Sequence, residues 1–116
     1  ITEEMVEDFA RISGDRNPIH MDEEFAKTTR FKKRIAHGML AGSFISRALN
    51  EAIGKGGVYL SQTLKFTNPI FIGETIHVNL RITAFREEKG FASVETIVTD
   101  DAGTVLVKGE AMLMAT

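Results

Sequence analysis

The sequence predicts an α+β domain in which a curved antiparallel sheet wraps around one long central helix. Apolar residues recur at helical spacing in the first half of the chain, whereas apolar and polar residues alternate, as in strands, through the second half. The last helical stretch is apolar or small almost all round, which is typical of a buried helix. Segregation of helices from strands indicates the α+β class, and the long strands are expected to curl around that helix.

The chain begins with one predicted helix and a stiff turn. Thr2 can cap the helix, and Gly14 ends it. In the next stretch, residues 15–20, Asn17 precedes Pro18, and a residue before proline is pushed toward extended conformations. We therefore expect a turn and not a helix there, with its polar side chains on a loop.

Two further helices are predicted before the strands. Asp22 is a suitable N-cap for a short helix. The long helix runs from Gly38 to about Ile53, where Gly54 and the glycines that follow stop it. Because its first half is apolar or small on every side, we expect only its far end to meet water.

The second half of the chain predicts four strands joined by short turns. Their approximate spans are residues 58–67, 76–84, 91–99 and 104–115. Residues 86–90 and 100–103, which separate the last three strands, have the composition of hairpin turns. Hairpins favour antiparallel pairing, but alternation alone does not give the order of strands in the sheet.

Length and composition narrow the class of protein. At 116 residues the chain is predicted to form one domain, residues 1–116. A net charge of −2 gives no general attraction to nucleic-acid phosphates, and the absence of cysteine excludes disulfides and thiolate metal sites. No stretch approaches the roughly 20 apolar residues of a membrane span. We therefore expect a soluble, cytoplasmic protein that binds neither nucleic acid nor membranes.

The densest cluster of polar residues, 13–20, places a carboxylate and an imidazole on the stiff turn. At neutral pH Asp15 is ionised and His20 can take or give a proton, so the pair suits general acid–base catalysis. A second interpretation stays open, because Asp and Asn commonly cap turns. A single His after a proline turn is also often only a surface residue.

A second cluster lies at the start of the long helix. The first amides there have no partners within the helix, and the helix dipole favours negative charge beside them. Gly38 would let a ligand approach these amides, and His37 precedes it. The alternative is that Gly38 only ends the preceding loop and that His37 only caps or packs. Further along, Gly42 and Ser46 could face a thin ligand, although close packing explains Gly42 equally well.

A basic stretch, residues 27–34, contains five Lys or Arg and no acidic residue. Such a run could contact the phosphates of an anionic ligand, or it could be a solvated loop. The common signatures of dinucleotide, P-loop, zinc-protease and serine-hydrolase sites do not occur in the sequence. The residue types alone therefore leave the reaction open.

Two motifs together give a more specific indication. Gly14-Asp15-Arg16-Asn17-Pro18-Ile19-His20 is followed by Ile35-Ala36-His37-Gly38-Met39-Leu40 at the start of the long helix. In this order and spacing they resemble the MaoC-like (R)-specific enoyl-CoA hydratase family, also called hydratase 2, and the resemblance covers nearly the whole chain. It implies a hot dog fold, in which a curved antiparallel sheet surrounds a central helix, and a homodimer or higher homo-oligomer.

The resemblance also implies roles for single residues. Asp15 and His20 match the family's catalytic pair, and Gly38 matches the residue whose backbone amide meets the thioester oxygen. Among substrate-site residues, Asn17 matches an organiser of the loop and Ser46 matches a serine. The implied reaction is the reversible hydration of a trans-2-enoyl-CoA to an (R)-3-hydroxyacyl-CoA, with an acyl-CoA thioester as substrate and no metal or redox cofactor.

Two alternatives remain at this point. The same chemistry could act on a substrate carried by acyl carrier protein, because the basic stretch could meet either a carrier protein or the phosphates of CoA. The other alternative is a hot dog domain that binds acyl thioesters without converting them. The intact Asp15 and His20 argue against that alternative.

Overall fold

The helices precede the strands, as the sequence predicts, in a computed structural model that describes residues 1–54 and 56–115. Within these residues the helices are α1 (Glu3–Ser13), α2 (Pro18–Met21), α3 (Glu23–Lys27) and α4 (Gly38–Ile53). The strands are β1 (Val58–Gln62), β2 (Lys65–Phe66), β3 (His77–Arg86), β4 (Phe91–Thr99) and β5 (Val105–Met114). All pairings between these strands are antiparallel.

The sheet has the order β1-β5-β4-β3, and the short β2 pairs with β5 beyond the end of β1. The single strand predicted over residues 58–67 is interrupted at residues 63–64, although the N–H of Thr63 still donates to the carbonyl of Glu110 on β5 at 2.9 Å. There the carbonyl of Thr63 crosses directly over Gly109, where a Cβ atom would lie only 1.7 Å from that oxygen. Glycine at this position of β5 makes the crossing possible.

The core lies between α4 and one face of the sheet. Its buried residues from α4 are Leu40, Ala41, Ile45 and Leu49, and those from β4 and β5 include Val94, Val98, Val107, Ala111 and Leu113. The prediction that only the far end of α4 meets water is wrong for a single chain. Met39 is 57% exposed and Ser43 is also exposed, because the sheet covers only one side of the helix.

The turn predicted over residues 15–20 is correct only in its first half. Asn17 caps α2, since its side-chain Oδ1 accepts the N–H of Ile19 at 3.2 Å, and Pro18 occupies the first helical position. Proline suits that position because its fixed φ is helical and its missing N–H would have no partner there. His20 consequently lies on a one-turn helix and not on a loop.

The far end of the sheet extends beyond the helix. Ile82 and Phe85 on β3 are 68% and 62% exposed. The radius of gyration is 15.7 Å, against about 13 Å for a compact domain of this length. A single chain thus leaves apolar sheet uncovered. No helix in the described part of the chain is long and apolar enough to cross a membrane.

Candidate active site

The turn after α1, the helix α2 and the start of α4 meet around a pocket of about 280 Å³. Asp15, His20 and Gly38 all line it, as the sequence predicts for one site. The other lining residues are Ile35, Ala36, His37, Met39, Phe66, Asn68, Pro69, Ile70 and Val107. Most of these are apolar, so the few polar groups are concentrated at one end of a largely hydrophobic cleft.

Asp15 lies in a turn that its own neighbours hold. Its backbone N–H donates to Ser13 Oγ at 3.1 Å, and its Oδ1 accepts the N–H of Asn17 at 3.2 Å. The interpretation of Asp15 as a turn cap is therefore correct, but it uses one carboxylate oxygen only. Oδ2 has no hydrogen-bond partner among the described residues and is available to a water molecule or a substrate.

The ring of His20 has a defined tautomer. Its Nδ1 lies 2.7 Å from the carbonyl oxygen of Ile35, and because a carbonyl can only accept, Nδ1 carries the proton and Nε2 keeps a free lone pair. Burial lowers the pKa of His20 from its ordinary value of 6.5, as do His37 and Arg34, while the Ile35 hydrogen bond and Asp15 raise it. The resting imidazole is neutral at pH 7 and offers Nε2 as a proton acceptor.

His37 joins this pair from the start of α4, and sequence reasoning left it out of the site. It makes no side-chain capping bond to the helix, so the capping interpretation is wrong. Its ring is 1% exposed and lies 4.1 Å from the ring of His20, centroid to centroid. A carboxylate oxygen of Asp15 and one ring nitrogen each of His20 and His37 all lie within 4.8 Å of one another. The signal that could have identified it was its place directly before Gly38.

Gly38 places the first amides of α4 in the same pocket. The N–H groups of Gly38 and Met39 have no hydrogen-bond partner among the described residues, as expected for a helix N-terminus. The glycine is not required by its backbone angle, because its φ is not positive. What approaches it is Phe66, since a Cβ atom on Gly38 would lie 2.5 Å from Cε1 of that ring.

The two residues predicted to contact substrate lie elsewhere in a single chain. The side chain of Asn17 caps α2 and does not line the pocket, so its role in the site stays a prediction. Ser46 is exposed and lines a separate cavity of about 120 Å³ with Leu49 and Tyr59. Eight residues of helix rise about 12 Å, so α4 carries Ser46 away from Gly38.

The basic stretch divides into paired and unpaired cations. Lys27 bonds to Glu24 at 3.0 Å, and Arg34 bonds to Glu3 while its Nε donates to the carbonyl of His20 at 2.6 Å. Arg34 therefore ties α1 to α2 behind the site. In the part of the chain that the structure describes, Arg30, Lys32 and Lys33 form no ion pair.

A larger groove of about 420 Å³ runs between α1, α4 and β3. Its wall is formed mainly by aliphatic and aromatic residues, including Phe44 and Val78, and its charged groups, Arg47 and Glu51, are paired with each other at 3.1 Å. This groove lacks the combination of an acid, a free imidazole nitrogen and open helix amides. The smaller pocket at Asp15 is therefore the candidate active site.

Comparison with known proteins shows which family the chain belongs to. The family described as the MaoC like domain matches residues 1–105. The chain belongs to the MaoC-like family. It is 42% identical over 106 residues to the (R)-specific enoyl-CoA hydratase of Aeromonas caviae. The aligned residues cover 90% of this chain and 79% of that protein. It is 45% identical over 107 residues to the (R)-specific enoyl-CoA hydratase of Rhodospirillum rubrum, with 91% and 74% covered.

The structure of this MaoC-like chain also matches a solved hydratase. The (R)-hydratase from A. caviae superposes with a TM-score of 0.95 at 38% identity, covering 100% of this chain and 89% of that one. The hot dog fold that the two motifs imply is thereby confirmed. Within it, the pocket at Asp15, His20 and Gly38 uses the two motifs through which the sequence resembles the family.

Proposed function

We propose that this MaoC-like chain is a hydro-lyase that reversibly hydrates a trans-2-enoyl-CoA to an (R)-3-hydroxyacyl-CoA. The observation that carries the proposal is the meeting of three groups in one apolar pocket. These are the free carboxylate oxygen of Asp15, the unprotonated Nε2 of His20 and the open N–H groups at Gly38. The relatives from A. caviae and R. rubrum, both (R)-specific enoyl-CoA hydratases, support the same assignment.

The helix start stabilises the negative charge that develops on the thioester oxygen. As water adds to C3, the carbonyl of the conjugated thioester becomes an enolate, and the N–H of Gly38 donates to its oxygen. One such donor contributes about 2.7–4 kcal/mol to transition-state stabilisation. The positive end of the α4 dipole acts in the same direction.

The acid–base pair moves one proton in each turnover. Asp15 orients the water and takes a proton from it as the water oxygen bonds to C3. His20 delivers one proton to C2, where the electron pair of the former double bond has moved. Because Nε2 carries no proton at rest, the imidazole first receives the proton that water released to Asp15. One proton therefore enters the pair for each one that leaves, and the pair ends as it began.

This mechanism predicts the acid limb of the pH profile. The neutral imidazole of His20 is the active form, and its burial lowers its pKa from 6.5. Activity should therefore stay level as pH falls from 8 to 6.5 and decline only below that value, when the ring becomes cationic. Measurement of kcat/KM for hydration between pH 5 and 8 checks this. A rate that rises as pH falls through 6.5 would show that the imidazolium is the active form.

The decisive experiment follows the loss of enoyl-thioester absorbance when the protein is added to enoyl-CoA substrates of increasing chain length, with chiral analysis of the product. We expect hydration and the (R)-3-hydroxyacyl product. Binding without conversion after prolonged incubation would instead identify an acyl-thioester-binding module. Competition between enoyl-CoA and an enoyl acyl carrier protein would show which carrier the unpaired cations Arg30, Lys32 and Lys33 favour.

A homodimer is the assembly that we propose for this function. Met39 and Phe66, which line the pocket, are 57% and 52% exposed, so one chain leaves an apolar rim beside the reacting groups. A second copy over the open side of α4 would exclude water from this rim. Light scattering should then give twice the 12.8 kDa mass of one chain. The cytoplasmic location stays a prediction of the sequence.

A further inference from the structure

We infer that His37 is a positioning residue that sets the geometry of the Asp15/His20 pair. The inference rests on the proposed function and adds to it a residue with no assigned role. His37 is nearly completely buried, and its ring lies 4.8 Å from the ring of Phe9 and 4.1 Å from that of His20, centroid to centroid. It therefore contacts His20 directly, and it lines the same pocket.

The first contact of His37 is with Asp15. Its Nε2 lies 2.9 Å from the backbone carbonyl oxygen of Asp15. Because that oxygen can only accept, Nε2 carries the proton and donates it. Asp15, whose carboxylate takes a proton from water, is thus joined to the N-cap residue of α4. His37 thereby links Asp15 to the helix that carries the Gly38 amide.

The second contact of His37 is with His20. The two imidazole rings are tilted by 32° and their centroids are 4.1 Å apart, so the ring of His20 packs directly against that of His37. His20 is also faced by Asp15, Arg34 and the carbonyl of Ile35. His37 is also among the groups that lower the pKa of His20, although burial is the largest cause.

A buried polar atom separates this role from simple space filling. The Nδ1 atom of His37 is buried and has no hydrogen-bond partner among the described residues. A buried acceptor without a partner is unfavourable, so an apolar side chain of similar size would suit the same space better if only packing mattered. The hydrogen bond to Asp15 is the interaction that such a replacement would lose.

Two variants of similar size test the inference. His37→Gln keeps an N–H donor that can reach the carbonyl of Asp15, and His37→Met removes it. We expect His37→Met to lower kcat by about 10- to 100-fold, as for a catalytic group displaced by about 1 Å, with KM nearly unchanged. His37→Gln should restore most of kcat. Wild-type kcat in folded His37→Met, or equal loss in both folded variants, would overturn the inference.

Histidine NMR provides a readout that does not depend on turnover or on the His37 variants. The chain has three His residues, and His77→Asn identifies the exposed one. In the wild-type protein we expect the Nε2–H tautomer at His37 and the Nδ1–H tautomer at His20. The reverse tautomer at His37 would overturn the inference. If the wild-type protein hydrates no enoyl thioester, the proposed function fails, while these tautomers still report whether His37 holds the pair.

Discussion

Replacement of either member of the acid–base pair is expected to nearly abolish hydration. Asp15→Asn removes the carboxylate that takes a proton from water, and His20→Gln removes the nitrogen that returns one to C2. Each change should lower kcat by about 10² to 10⁴-fold, the usual contribution of a positioned proton-transfer group. Both side chains are at least partly exposed, so the free energy of unfolding should change little. Crotonyl-CoA hydration and thermal unfolding measure the two effects.

The chain contains a matched control for this experiment. His77 on β3 lies 2.7 Å from Asp101, Nε2 to Oδ1, and both residues are exposed and far in sequence from the pocket. His77→Gln and Asp101→Asn make the same chemical changes in this surface pair, so both should keep wild-type kcat. Full activity in Asp15→Asn and His20→Gln would remove the mechanism, whatever the control variants show.

Gly38→Ala is expected to cause the second large loss. The added Cβ would lie 2.5 Å from Cε1 and 2.7 Å from Cδ1 of Phe66, so the ring has to move. Because Phe66 is half exposed, the ring can swing aside, and we expect the cost to stability to stay at the low end of the ~1–3 kcal/mol typical of overpacking. Phe66 lines the pocket, however, so its displaced ring would shift the bound thioester. A shifted thioester oxygen would lose its hydrogen bond from the Gly38 N–H. This predicts a loss of about 100-fold or more in kcat/KM.

Gly42→Ala is the control within the same helix. A Cβ atom there would meet Leu64 Cδ1 at 3.4 Å, which is ordinary contact. Alanine is favoured over glycine in a helix interior by about 1 kcal/mol, so this variant should be as stable as the wild-type protein or more stable. A Phe66→Leu change in the Gly38→Ala background should recover part of kcat/KM. Wild-type kinetics in Gly38→Ala alone would show that the Gly38 amide does not meet the substrate.

Local chemistry made several elements predictable. Thr2 caps α1 through a 3.1 Å bond from the N–H of Met5, and Gly14 ends it with a φ of 78°. The long helix has the predicted bounds, Gly38–Ile53. The prediction of a turn over residues 15–20 is wrong from Pro18 onward, because proline restricts the residue before it but itself suits the first position of a helix.

The family, the fold and the reaction class were also accessible from sequence, and the comparisons confirm them. The roles of Asp15, His20 and Gly38 stay predictions, although the structure brings all three to one pocket. Ser46 does not share that pocket in a single chain. The pattern of apolar and polar residues could not show that the sheet covers only one side of α4. That pattern reports the periodicity of a single helix or strand and not which elements pack against it.

The sequence by itself determined which groups are able to do the chemistry, because a carboxylate, an imidazole and a helix start follow from residue type and local spacing. Only the tertiary structure decided how these groups are held. Phe66 reaches Gly38 because β2 pairs with β5, and His37 reaches Asp15 because α4 begins beside the end of α1. Such contacts join residues distant in the chain, and spacing along the sequence carries no information about them.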